Sequence, residues 1–175
     1  MHYLTDTNLN WQLIADKGSK LKKLSDLSDK IVAMTRYSGT DLLTDMVVKK
    51  AKPKYQVFRV QINDVFVRLA MLQNHEIDAY WFSEPQVAKA LSADNNSLFN
   101  SEDAGVHLGV VAIMDKIRRQ DEEIAFAEAY DKAVDQINKH GVKYYSDLIQ
   151  KYMKVDEAVV RALPDIKYTK IGPPR

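Results

Sequence analysis

Cysteine is absent from the 175 residues of this chain, which excludes disulfide scaffolds, thiol catalysis and cysteine–zinc sites. No run approaches the ~18 uncharged apolar residues that a membrane-spanning helix needs. No charged stretch leading into an apolar one opens the chain, so an export signal is expected to have been removed or never present. The four histidines, His2, His75, His107 and His140, show no metal-ligand spacing. No GxSxG, P-loop or GxGxxG pattern occurs, and no pair of carboxylates is marked out as an acid–base couple. The chain is therefore read as binding rather than catalytic, with no cofactor and no metal.

What is present is ordinary for a globular protein: 46% apolar and 28% charged residues. That excludes a wholly disordered or collagen-like chain, and the length suits one domain or two small lobes. The net charge of +1 hides an uneven distribution. Residues 1–60 carry 11 basic and 6 acidic groups, whereas residues 61–105 carry 2 and 7. The basic part is lysine scattered over apparent turns and helix faces, such as Lys20, Lys22 and Lys23. A nucleic-acid groove would be more continuous and richer in arginine and aromatics, so no nucleic-acid partner is expected.

The pattern predicts alternating elements. Asn10–Ala15 and Lys30–Thr35 read as strands, and a helix over 40–51 follows, with Leu42, Leu43, Met46, Val47 and Ala51 on one face. Ser38 is its N-cap, three residues before Asp41. Gln56–Val60 reads as a strand, Asp64–Gln73 as a helix with Val65, Leu69 and Leu72 inward, and Ile77–Phe82 as a third strand. Ser83 and Gln86 have capping-box spacing for the next helix, and strands are expected near Ser97–Asn100 and over Leu108–Met114. The pattern then turns helical. A helix over 121–139 puts Phe126, Tyr130, Ala133, Val134 and Ile137 on one stripe, and two shorter helices cover 143–153 and 156–163. The fold class is α/β, an open and mostly parallel sheet followed by C-terminal helices.

In such sheets ligands collect beyond the carboxyl ends of the strands. Three loops qualify. Thr35–Thr40 offers Tyr37, Ser38, Gly39 and Thr40: hydroxyls, a glycine and a positive helix end, suited to an anion or equally to a well-capped helix. Asn63 and Asp64 follow the middle strand, where an ordinary Asn/Asp cap would look the same. Trp81 and Glu84 close the third strand. Period-2 alternation sends one of Tyr80 and Trp81 to the core and leaves the other for a ligand, while Glu84 could accept from a ligand amine or ring N–H.

The order of several segments resembles a known family. Leu24–Ser25–Asp26–Leu27 with Lys30–Ile31–Val32–Ala33, then Ser38–Gly39–Thr40, Leu72–Gln73–Asn74–His75–Glu76–Ile77–Asp78–Ala79, Glu84–Pro85, Ala125–Phe126 and Ala129–Tyr130–Asp131–Lys132–Ala133 stand in sequence. Together they resemble ABC-transporter substrate-binding proteins of the nitrate, sulfonate, taurine and thiamine-precursor group. His75 and the Ser28–Asp29 pair depart from that pattern, which has glycine in both places.

The resemblance implies a type II periplasmic-binding-protein fold, a small anionic or aromatic ligand, an ABC permease as partner, and a periplasmic or extracellular location, lipid-anchored or not. It divides the chain into a leading segment and first crossing strand (1–15), an α/β ligand-binding lobe (16–107), and a second crossing strand with helices that would pack on the first lobe (108–175). It also implies that most of the first lobe has no counterpart before Asn10. The helical stripes of 121–163 are then expected to fold back or to be covered by a second copy, a homodimer or domain-exchanged dimer. An effector-sensing domain of a transcription regulator is an alternative, though no helix-turn-helix is visible in residues 1–30. A pyrimidine-precursor synthase is another, and the lack of cysteine tells against it.

Overall fold

The computed structural model describes residues 2–106, 108–117 and 119–172. The chain divides into two compact units, one formed by Asn10–Val106 and one by Met1–Leu9 with His107–Arg175.

The unit Asn10–Val106 is built on a five-stranded sheet. Its strands are β2 (Trp11–Ala15), β3 (Ile31–Met34), β4 (Phe58–Gln61), β5 (Ala79–Ser83) and β6 (Asn96–Asn100), in the order β4-β3-β5-β2-β6. β3 pairs in parallel with β4 and with β5, whereas β2 runs antiparallel to both of its neighbours. The sheet is thus mostly parallel, with the N-terminal strand inserted against the others. Trp11–Ala15, grouped with residues 1–15 on sequence grounds, lies inside this sheet.

Alternation along β5 decides how the two faces are covered. Tyr80 and Phe82 pack with Ile14, Leu69, Leu72, Val87 and Ala90, on the side of α2 (Val65–Gln73) and α3 (Gln86–Leu91). Trp81 points the other way. Its ring meets Phe99 edge-on and its indole Nε1 donates to Thr44 Oγ1 at 2.9 Å, on α1 (Gly39–Ala51). Both faces being covered, the strands are near-continuously apolar, as Val32–Met34 and Ala79–Phe82 are.

One helix face and one helix cap differ from the sequence reading. On α1 the buried residues are Thr40, Leu43, Thr44 and Val47, while Leu42 is exposed. Two threonines lie inside because their hydroxyls have partners: Thr44 Oγ1 donates to Thr40 O at 2.7 Å besides accepting from Trp81. α3 has no Ser83–Gln86 capping box. Its N-cap is Pro85, and the Glu84 carboxylate accepts from Ala88 N at 3.0 Å instead.

The second unit pairs β1 (His2–Asp6) with β7 (Val110–Ile113) in a two-stranded antiparallel sheet. β1 lies ahead of Asn10–Ala15, the first strand that the sequence pattern predicted. Helices α4 (Gln120–His140), α5 (Ser146–Met153) and α6 (Glu157–Ala162) follow. The inward face of α4 is not the apolar stripe predicted. Val134 is buried and Tyr130 and Ile137 are half-buried, whereas Phe126 and Ala133 are exposed. Asp131 and Asn138 share the inner face because the chain after α6 is hydrogen-bonded along it. Asn138 Oδ1 accepts from Tyr168 N and its Nδ2 donates to Tyr168 O, while Asp131 Oδ1 accepts from Ile171 N.

Candidate functional site

Strand order fixes where a ligand can be received. β4 lies on one side of β3 and β5 on the other, so the crossover from β3 to β4 runs one way and the crossover from β4 to β5 returns past β3; the strand order thus reverses between β3 and β5, the place at which open α/β sheets form a ligand crevice. The loops around that crevice are Thr35–Ser38 after β3, Ile62–Asp64 after β4, and the turn Glu84–Pro85 after β5.

The first loop is closely hydrogen-bonded. Ser38 Oγ accepts from Thr40 N at 3.2 Å and donates to Thr35 O at 2.7 Å, and Thr40 Oγ1 accepts from Thr35 N at 3.0 Å. Gly39 is the first residue of α1, and Thr40 is buried. Tyr37 is almost wholly exposed, in the left-handed region at φ 56°, with the Arg36 guanidinium 5.9 Å from its ring centre. Its N–H donates to Asp41 Oδ2 at 3.0 Å. That hydrogen bond, with Arg36 and Arg59 beside it, holds the Asp41 carboxyl below its ordinary pKa against the opposing effect of burial. Arg59 Nη1 donates to Asp41 at 3.1 Å and its Nη2 to Asp45 at 2.6 Å.

The other predicted residues are spread over the remaining loops and the core. Asp64 caps α2, its Oδ1 accepting from Phe66 N at 2.7 Å and Val67 N at 3.2 Å. Asn63 is exposed and accepts from Gln61 Nε2. Trp81 is fully buried, so the indole leaves no face for stacking on a ligand and serves the sheet core. Glu84 is half-buried, and burial raises its carboxyl above the ordinary pKa, with the Ala88 N–H opposing. The structure thus gathers Ser38, Gly39 and Thr40 in one loop, puts Asn63, Asp64 and Glu84 in neighbouring strand-end loops, and leaves Trp81 beneath them.

Two residues that sequence reasoning missed complete the region. Thr44 anchors Trp81. Arg68, on α2, is buried, and its Nη1 donates to Trp81 O at 2.7 Å. Its signal was in the sequence: Arg68 is three residues after Val65 and four before Leu72, on the helix's own inward stripe.

Among the described residues, no group of three or more His, Asp or Glu is placed to hold a metal ion. His75 Nδ1 lies 2.6 Å from Asp16 Oδ1, and His2 Nε2 lies 3.0 Å from Glu123, both outside the crevice; His107 falls outside the described residues.

No family model matches this sequence, and no curated protein matches it. Solved structures do. The periplasmic aliphatic sulphonate-binding protein SsuA from Escherichia coli superposes with a TM-score of 0.68 at 19% identity, over 97% of this chain and 58% of its own. The ligand-binding component of an ABC-type import system from Staphylococcus aureus, solved with zinc bound, gives 0.73 at 20%, over 95% and 59%. The alkanesulfonate-binding protein SsuA from Xanthomonas axonopodis pv. citri, bound to MOPS, gives 0.58 at 17%, over 95% and 60%.

The fold is that of ABC-importer substrate-binding proteins. These neighbours are binding components of transport systems rather than enzymes. The present chain spans about three fifths of the length of each.

Proposed function

We propose that this chain is the ligand-binding part of an ABC importer's solute-binding component, working at the periplasmic or extracellular face and delivering its ligand to a permease. The observation that carries the reading is the reversal of strand order between β3 and β5, where ligands of open α/β sheets collect. Around it stand the polar loops that hold Tyr37, Ser38, Gly39 and Thr40, Asn63 and Asp64, and Glu84. The ligand class is small and anionic or aromatic: nitrate, a sulfonate or a thiamine pyrimidine precursor. The helix end of α1 favours the anions, because its first-turn N–H groups and dipole are positive. Trp81 contributes as the buried wall under the loops and not as a stacking surface. The sulfonate-binding names of two neighbours support the anionic choice.

The test is a set of thermal melts of the purified chain with sulfonates, nitrate and pyrimidines, read beside its light-scattering mass. Preferential binding to the folded state raises the melting temperature by an amount that grows with the logarithm of ligand concentration above the dissociation constant. At least one anion is expected to raise it with that concentration dependence. A flat response to every compound would overturn the reading and leave the polar loops as helix caps. A mass of two chains that appears together with a ligand response would make a second copy part of the binding unit.

A further inference from the structure

The five-stranded sheet ends at β4, which pairs with β3 alone. Phe58 N donates to Lys30 O at 2.8 Å and Ile62 N to Met34 O at 3.0 Å, so the even-numbered residues of β4 turn their main chain toward β3. The N–H and C=O of Arg59 and Gln61 therefore face outward, and no partner meets them among the described residues. Many proteins cover such an edge with a charged side chain. Here both side chains are tied back instead, the Arg59 guanidinium to Asp41 and Asp45 on α1 and the Gln61 amide to Asn63 Oδ1 at 3.2 Å.

A groove of about 980 Å³ lies beside this edge, between β4, the end of α1 and the loop 52–56. Its lining includes Arg36, Lys52, Lys54 and Arg59 and no carboxylate. Asp41 and Asp45 answer Arg59, and Asp41 also lies 3.9 Å from Arg36. Lys52 and Lys54 are exposed and make no ion pair among the described residues. The Lys54 ammonium sits 5.0 Å from the ring centre of Tyr55, itself 58% exposed. The other face of β4 has a different character. Because Arg59 turns to α1, alternation turns Phe58 and Val60 the opposite way. Val60 packs on the core beside α2, and Phe58 remains 46% exposed.

We propose that the β4 edge is a docking site for an extended acidic segment of a partner protein, added to the sheet as a further strand. The main-chain groups of Arg59 and Gln61 supply the pairing, as in strand addition generally. The two faces supply the specificity. Residues of the segment over the α1 side meet Arg36, Lys52 and Lys54, and those between them meet Phe58. The segment is therefore one in which acidic and apolar residues alternate. A second copy of β4 fits poorly, since edge-to-edge pairing would bring the same lysines together. A polynucleotide would answer the lysines but leave the outward main-chain groups of β4 without a ladder. The edge stands on the far side of β3 from β5, so this docking role is independent of solute binding.

The probe is a blocked octapeptide of alternating glutamate and valine, titrated into the full 15N-labelled chain, with a lysine–valine octapeptide and octathymidylate as controls. The glutamate peptide is expected to shift the Arg59 and Gln61 amide resonances and to slow their solvent exchange, and the lysine peptide to leave them unmoved. Gln61→Pro removes an outward N–H that the sheet does not use, and should weaken binding about 10-fold. Lys52→Glu with Lys54→Glu should weaken it by a similar factor at low salt and by less as salt rises. If Gln61→Pro does not fold, amide exchange in the unaltered chain and the paired lysine substitutions decide the matter. No response to the glutamate peptide at millimolar concentration overturns the inference. So does a response confined to Lys52 and Lys54, with exchange at Arg59 and Gln61 unchanged. Shifts at Arg59 and Gln61 that follow chain concentration alone, or that octathymidylate produces more strongly, would give the edge to a second copy or to a nucleic acid and overturn it too.

Discussion

The two units of this chain hold themselves together to very different degrees. Among the described residues, 21 of the buried apolar side chains belong to Asn10–Val106 and six, namely Leu4, Val134, Val155, Val159, Val160 and Leu163, to the other unit. The reason is architectural. A five-stranded sheet between α1 on one face and α2 and α3 on the other can seal Tyr80, Trp81 and Phe82 completely. A two-stranded sheet offers three helices too little surface, so Ile124, Phe126, Leu148 and Tyr152 remain 45–69% exposed. The contrast shows that helix amphipathicity alone does not make a core; the stripe needs a sheet wide enough to receive it. The solved neighbours, which carry about two fifths more of their length than this chain matches, share the fold of both units.

Truncations in the two cores should expose the difference. Trp81→Ala removes the largest fully buried side chain and the acceptor's partner at Thr44, and is expected to cost about 3–5 kcal/mol in chemical denaturation. Val160→Ala, in the thin core, removes two methylene equivalents and should cost about 1.5 kcal/mol. Equal losses at both sites would break the comparison. Acid and base arms should differ too. Asp41 is held below its ordinary pKa, so its contribution is present at neutral pH and disappears as pH falls through its folded value. Glu84 is held above, so its contribution is present in acid and is lost as pH rises through its folded value. Against pH, the stability of Asp41→Asn should therefore approach that of the unaltered chain in acid. Glu84→Gln should gain relative to it as pH rises toward neutral. Melts across pH 3–8 check both, and slopes of the same sign would refute the assignment.

Much of the sheet unit was legible because local patterns and burial agree there: β3, β4 and β5 fall within one or two residues of the apolar runs that predicted them. The errors arose where a polar group was satisfied by a partner distant in sequence. Thr44 reads as an outward residue until Trp81 is seen to need an acceptor for its indole. Asn138 and Asp131 read as the solvent face of α4 until Tyr168 and Ile171 are placed beside them. Arg68, a charge on the inward stripe, goes unremarked until the Trp81 carbonyl is placed beside it. Of the candidate site, the loops were visible, since caps are local, but the burial of Trp81 depended on which face α1 occupies. The two departures from the family pattern proved informative. Asp29 lies at φ 61° and His75 at φ 59°, both in the left-handed region where glycine is the usual residue.

Those two positions supply the finest comparison within the better-packed unit, because the same backbone conformation is offset at one and not at the other. A non-glycine residue in the left-handed region costs about 1–2 kcal/mol, less for aspartate, and glycine removes that strain while adding about 0.5–1 kcal/mol of entropy to the unfolded chain. At His75 the side chain brings something in return. Its Nδ1 meets Asp16 Oδ1 at 2.6 Å, and the Asp16 carboxylate, whose side chain is 5% exposed, relies on that contact and on Gly18 N. His75→Gly should therefore destabilise by about 1–3 kcal/mol, the cost of stripping a partner from a buried acceptor. Asp29 is exposed, and what it adds to the fold is a backbone N–H bond to Gln56 O that glycine would keep. Asp29→Gly should be neutral or stabilise by up to about 1 kcal/mol, read as a rise in melting temperature. If His75→Gly stabilised as much as Asp29→Gly, the His75–Asp16 contact would contribute nothing, and Asp16 would be anchored by Gly18 alone.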